Sequence, residues 1–345
     1  MNALSLIASS LTWDNHGCLP LRPHDATVLP QLELYRASHV DVIMVNIGFG
    51  EQSVEDHVRM IAHFRHWLAD HKDKYLIIET PEDIALARAT GRLAVGFNIE
   101  GANGISDQIS LISLYYDLGV RWMLMAYNRN NRVGGGCQDY DRGLTRFGRK
   151  VVEEMARVGM VACCSHTGYR TARDVIDFSP NPVIFSHSNP RSLHDHPRNI
   201  PNDLIAACAG AGGVVCLNGI GIFLGKNDNS VETYFRHVDY VVQLVGPDHV
   251  GIGLDYLFDP DELGTLATHM TGTFPPGLGY ELGSNIKCVS PAKLEALVEL
   301  QLQAGYSETD IRHVLGQNLL RLAQRVWKPR SDRLTSDRHP VETCP

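Results

Sequence analysis

The 345-residue sequence contains no run of about 18 apolar residues, so no membrane-spanning helix is expected. It also lacks any block of basic residues, and its formal net charge is -8, which leaves no electrostatic footprint for nucleic acid. The opening MNALSLIASSL has no basic segment ahead of its apolar one, so a secretory leader is not expected. Disulfide-framework spacing is missing too. The eight cysteines, two of them adjacent at 163 and 164, are expected to be reduced thiols in a cytoplasmic protein. What remains is an ordinary globular composition, 44% hydrophobic and 20% charged, with sixteen histidines whose positions carry the interest. A chain of this length fits two small domains or one large α/β barrel.

The pattern along the chain favours the barrel. Near-continuous apolar runs at about 5–13, 39–49, 93–101, 120–128, 160–166, 181–188, 212–219 and 249–257 read as eight strands. Helical periodicity falls between them, at 53–70, 81–90, 107–118, 144–159, 170–178, 201–211 and 231–245. Strands that are apolar on both faces, each followed by a helix, imply a parallel sheet covered on both sides. Eight such units predict an α/β fold of the (β/α)8 TIM-barrel type. Residues 257–290 are rich in glycine and proline and read as a long loop over the barrel mouth. Residues 291–328 predict two additional C-terminal helices, the second opened by a capping box from Ser307 to Asp310. Residues 1–328 are thus expected to form a single unit, and 329–345 a disordered tail.

In such a barrel, active-site groups stand at the C-terminal ends of strands. Those ends carry His16 and Cys18, Glu100, Tyr127 and Asn128, His166, His187, Asn218 and Asp255. Each alone has a plainer reading: a hydrogen-bonded core histidine, a solvated loop acid at Glu100, a helix cap at Asp255. Together, three histidines, a glutamate and an aspartate at one end of five strands point to a metal site. Imidazole is a good zinc ligand, and a carboxylate can bridge two cations.

At this point the residues resemble the membrane (renal) dipeptidase family, zinc metallopeptidases with an amidohydrolase-like barrel. The resemblance runs through DNHGCLP, NIEGANGI, CSHTGYRTARDVI, PVIFSHSNPRSLHDHPRNIPNDLI and HVGIGLDY to GYSETDIRHVLGQNLLRLAQ. It implies two zinc ions per chain, the first on His16 and position 18, the second on His166 and His187, with Glu100 bridging. It further implies that Arg198 holds a substrate carboxylate and that Asp255 shuttles a proton to the leaving amine. The implied substrate is a small dipeptide, and a homodimer is implied by the resemblance alone.

Two positions depart from the family pattern. Where the family has His-x-Asp, this sequence has His16-Gly17-Cys18. A thiolate is an excellent zinc ligand, so ligation by Cys18 is the favoured reading. The alternative is an empty first position and a single zinc. Where the family has a histidine near the scissile carbonyl, Tyr127 stands, with Asn128 as the second candidate for substrate contact. Three functions therefore stay open: a zinc dipeptidase, a related amidohydrolase acting on a carboxylate-bearing amide such as an N-acyl amino acid, and a non-catalytic barrel with a degenerate site.

Overall fold

The computed structural model describes residues 2–50 and 52–329. Ten parallel strands occur in chain order: β1 (Trp13–Cys18), β2 (Val42–Phe49), β3 (Tyr75–Ile77), β4 (Leu93–Glu100), β5 (Val120–Leu124), β6 (Val161–Cys163), β7 (Ile184–Phe185), β8 (Val214–Leu217), β9 (Val250–Ile252) and β10 (Tyr256–Leu257). Eight of them pair around a closed ring, β1-β2-β4-β5-β6-β7-β8-β9, and the Asp14–Ile252 pairing returns β9 to β1. Helices cover the outside, giving the expected (β/α)8 barrel. β3 pairs with the first half of β4, and β5 takes over that edge from Phe97 onward. β10 resumes the line of β9 after a break and pairs with the end of β1.

The side-chain period of two divides the apolar residues between two cores. Val42, Met44, Ala94, Trp122, Val161, Cys163, Ile184 and Val214 fill the barrel interior. Their neighbours Ile43, Val45, Val95, Met123, Ala162, Phe185 and Val215 pack outward against the helices. Both sets are buried, which is why these strands read as unbroken apolar runs. The C-terminal helices Leu294–Gln303 and Asn318–Val326 belong to this packing. Leu319, Leu322, Ala323 and Val326 join the interior cluster, and Asn318 donates to the carbonyls of Pro247 and Val250. The Ser307–Asp310 capping box forms as expected.

Three expectations need correction. The opening run is not a strand: Ala3–Ser9 is helical, capped by the Asn2 side chain on Ser5 N–H, and the strand starts at Trp13. A short apolar run without clear period cannot separate a buried strand from a buried helical turn. The segment after the last strand is not all loop, because Pro260–His269 is a helix with Asp259 at its cap and proline in its first turn. Tyr75–Ile77 was not anticipated; three residues are too few to show a period. The tail expected beyond 328 lies outside the described residues from 330 on.

Candidate metal centre

The strand ends converge as the barrel rule requires. His16 lies on β1, in the stretch where its pairing with β2 shifts register between Asp14 and Gly17. Trp13 faces the interior, so strict alternation would turn His16 outward; the shift breaks that alternation. The His16 ring stacks on His187, centroids 4.1 Å apart and planes at 15°, above the indole of Trp122. Glu100, the last residue of β4, places Oε1 2.6 Å from His16 Nε2 and 3.4 Å from His187 Nε2. Asp255 falls in the break between β9 and β10, with Oδ1 3.3 Å from His16 Nε2. The Cys18 thiol donates to the same Oδ1 at 2.9 Å and lies 3.4 Å from His16 Nε2.

Seven non-glycine residues among those described have positive φ, and three of them belong here: Asn128 (57°), His166 (59°) and Asp255 (56°). Such backbone is costly for residues with a Cβ and persists where surrounding contacts enforce it. Asn128 supplies one of those contacts, its Oδ1 accepting from His166 Nδ1 at 2.7 Å while its Nδ2 donates to the Thr273 carbonyl. His187 Nδ1 lies 2.7 Å from Ser186 Oγ, whose hydroxyl donates to Ser165. With Nδ1 of each ring held by Asn128 or Ser186, the two Nε2 atoms turn toward each other, 2.9 Å apart. Two buried imidazole nitrogens presented to one point beside Glu100 fit a metal.

The charges agree. Burial keeps His166 and His187 well below the ordinary histidine range, reinforced by Arg198 and His16, so both imidazoles are neutral. Burial also opposes charge on His16, but Glu100 and Asp255 outweigh it and push its pKa up to about 10. Asp255 is buried too, yet the contacts of its Oδ1 with His16 and the Cys18 thiol hold it below the usual carboxylate range. A proton on His16 thus balances two acids, a task a metal ion performs with more charge. Two groups lie within 4.8 Å: His16, Cys18 and Asp255, and His16, Glu100 and His187. Burial and the charges of Asp255 and Glu100 raise the Cys18 thiol well above its ordinary pKa. Only a bound cation would make that group a thiolate.

The remaining expected residues divide. Tyr127 stacks on His166, centroids 4.1 Å apart, and lines the cavity over the site. Asn128 is fully buried, and its side chain is bonded to His166 and the Thr273 carbonyl. Arg198 is buried beside the site, its Nη2 donating to the His187 carbonyl at 3.3 Å and its guanidinium over the Phe223 ring. Its Nε has no partner, and no carboxylate pairs with it among the described residues.

Of the supporting layer, sequence reasoning placed Asn218 at a strand end without a role and missed Asn46 and Asp14. Asn46 donates to Glu100 Oε2, Asn218 donates to Asp255 Oδ2, and Asp14 accepts from His16 N–H, Leu254 N–H and the Tyr35 hydroxyl. Asp14 therefore links the strand end carrying His16 to the break carrying Asp255. Buried polar residues two before a ligand, as Asp14 is to His16, were the available signal.

Known proteins place this arrangement. Dipeptidase verJ of Clonostachys rogersoniana is 30% identical over 259 residues, 74% of this chain and 61% of that protein. An uncharacterized dipeptidase of Schizosaccharomyces pombe is 30% identical over 214 residues, 59% of this chain and 51% of its own length. The chain thus spans only half to three fifths of these curated relatives. Among solved structures, an amidohydrolase from Pseudomonas aeruginosa superposes with a TM-score of 0.86 at 27% identity, covering 95% of this chain and 99% of that one. A metallo peptidase from Rhodobacter sphaeroides, solved with a phosphinate mimic of L-Ala-D-Ala, shares the fold at 20% identity and a TM-score of 0.76, over 92% of this chain and all of that one. The family model described as membrane dipeptidase, peptidase family M19, matches residues 31–266, and the chain belongs to that family.

Proposed function

We propose that the protein is a zinc-dependent dipeptidase that hydrolyses the amide bond of small dipeptides. The observation that carries this reading is Arg198: a buried guanidinium with no acid partner among the described residues, bonded to the backbone of His187. A planar guanidinium left without a carboxylate in a buried site fits a carboxylate on the substrate. Family membership and the names of the curated relatives support the same reaction.

In this reading His16 and Cys18 would hold one zinc ion and His166 and His187 the other, with Glu100 as a ligand between the pairs; the candidate ligand atom of Asp255 lies within 4.8 Å of those of His16 and Cys18. When bound, the metal supplies Lewis-acid polarisation of a carbonyl and acidifies water. The chain's own residues do the rest. Arg198 fixes the substrate's carboxylate and so sets where the scissile amide lies. Tyr127, kept neutral by burial and by the charge of Glu100, offers its hydroxyl to the carbonyl oxygen as negative charge develops. Asp255, oriented by Asn218, takes a proton from the attacking water and passes it to the departing amine.

The test is a panel of dipeptides, their C-terminal amides and N-acetyl amino acids, assayed with and without chelator. Free dipeptides are expected to be cleaved in a chelator-sensitive way and their amides at least about 30-fold more slowly. Preferred cleavage of the N-acetyl compounds would instead select the amidohydrolase reading.

A further inference from the structure

Two clefts open above the site and share Cys18, Glu100, Tyr127, Leu257, Leu263 and Phe274. One, ≈ 430 Å³, extends past His166 to Phe223 and Tyr280. That is the side of Arg198, whose guanidinium lies 5.2 Å from the Phe223 ring centroid. The other, ≈ 470 Å³, extends the opposite way to Leu19, Leu21, Phe49 and Leu266.

The polar side chains of the second cleft are largely committed. Asn46 donates to Glu100 and accepts from Gly48 N–H. Asp259 pairs with Arg22 and caps Asp261, and Glu262 Oε1 accepts from Leu21 N–H. What a ligand meets there is aliphatic and aromatic wall. Leu263 and Leu266, three apart on the helix Pro260–His269, lie on one face and roof it. The helix holds that pose by packing its Gly264 closely on the backbone of Gly283 and Ser284.

We infer that this second cleft receives the side chain of the substrate's N-terminal residue and selects a large apolar one. The inference rests on the dipeptidase reading. With the C-terminal carboxylate at Arg198 and the scissile carbonyl at the donor cluster, the N-terminal residue extends past Cys18 into the cleft roofed by Leu263 and Leu266. A leucine or phenylalanine side chain leaves water there, whereas glycine leaves the apolar wall wet.

The experiment measures kcat/KM of the metal-loaded enzyme for Gly-Ala, Ala-Ala, Leu-Ala and Phe-Ala, and for the reversed series Ala-Gly to Ala-Phe. The expected result is a rise of at least about tenfold from Gly-Ala to Leu-Ala, and a smaller spread in the reversed series. Leu263→Ser and Leu266→Ser alter half-exposed positions of the cleft roof and are expected to bring the Leu-Ala to Gly-Ala ratio within about threefold. Turnover with no gain from Gly-Ala to Leu-Ala, a preference confined to the reversed series, or a ratio unchanged in both variants would each overturn the assignment. No turnover of any member would overturn the dipeptidase reading itself, and this inference with it.

Discussion

His16 and His187 stack ring on ring at 4.1 Å, and the Nε2 atoms of both reach one oxygen, Oε1 of Glu100. Two imidazoles from separate strand ends thus converge on a single carboxylate oxygen. Replacing the carboxylate by an amide keeps the volume and removes the charge. Glu100→Gln is expected to lower bound metal by at least half and activity by more than about 100-fold, while the fold persists. Metal analysis by mass spectrometry beside a dipeptide assay checks this. Full metal content in the variant would remove Glu100 from the ligand set.

Cys18 is tested through its sulfur. If it ligates, the cobalt-substituted protein will show the near-ultraviolet charge-transfer band of a cobalt–thiolate bond. Cys18→Ser should abolish that band. Cys18→Asp should retain metal without the band and move selectivity toward harder ions such as manganese. A wild-type cobalt spectrum without the band would leave Cys18 as a hydrogen-bond donor to Asp255 and nothing more.

Arg198 gives opposite signs for stability and activity. Its guanidinium is buried with no acid partner, so Arg198→Met removes an uncompensated charge and should leave the melting temperature unchanged or raised. The same variant should lose at least about 30-fold in kcat/KM on dipeptides, and the gap between dipeptides and their C-terminal amides should close. Thermal melts and paired kinetics measure the two effects separately. A fall in melting temperature with the gap intact would make Arg198 structural.

How much was legible in the sequence follows from where information is local. The barrel strands were readable because burial on both faces makes them unbroken apolar runs, and their C-terminal ends then nominated His16, Glu100, His166, His187 and Asp255. The departures came from tertiary context. The shift within β1 that brings His16 onto His187 has no sequence mark, nor has the positive φ of Asn128, His166 and Asp255. The side-chain partners of Asn128, His166 and Thr273, are 38 and 145 residues away and left no local mark. The helix Pro260–His269 was hidden because few of its residues are apolar and none is fully buried.

The last prediction lies away from the metal. His57 is buried between Gly48 and Gly104, where a Cβ on either glycine would overlap its ring. Burial lowers its pKa from 6.5 to about 4. Between those values the unfolded chain binds more protons than the folded one, so stability is complete above pH 6.5 and falls as the pH drops toward 4. His237, buried behind the carbonyl of Leu224, is likewise lowered to about 4 and adds to the same slope. Each shift corresponds to roughly 3 kcal/mol over the full window. His57→Asn should cost stability at pH 7 through the cavity it leaves, yet lose less than the wild type between pH 6.5 and 4.5. Urea unfolding of both proteins at the two pH values provides the measurement, since ligand histidines common to both cancel in the difference. Parallel pH dependence in the two proteins would show that His57 protonates freely in the fold.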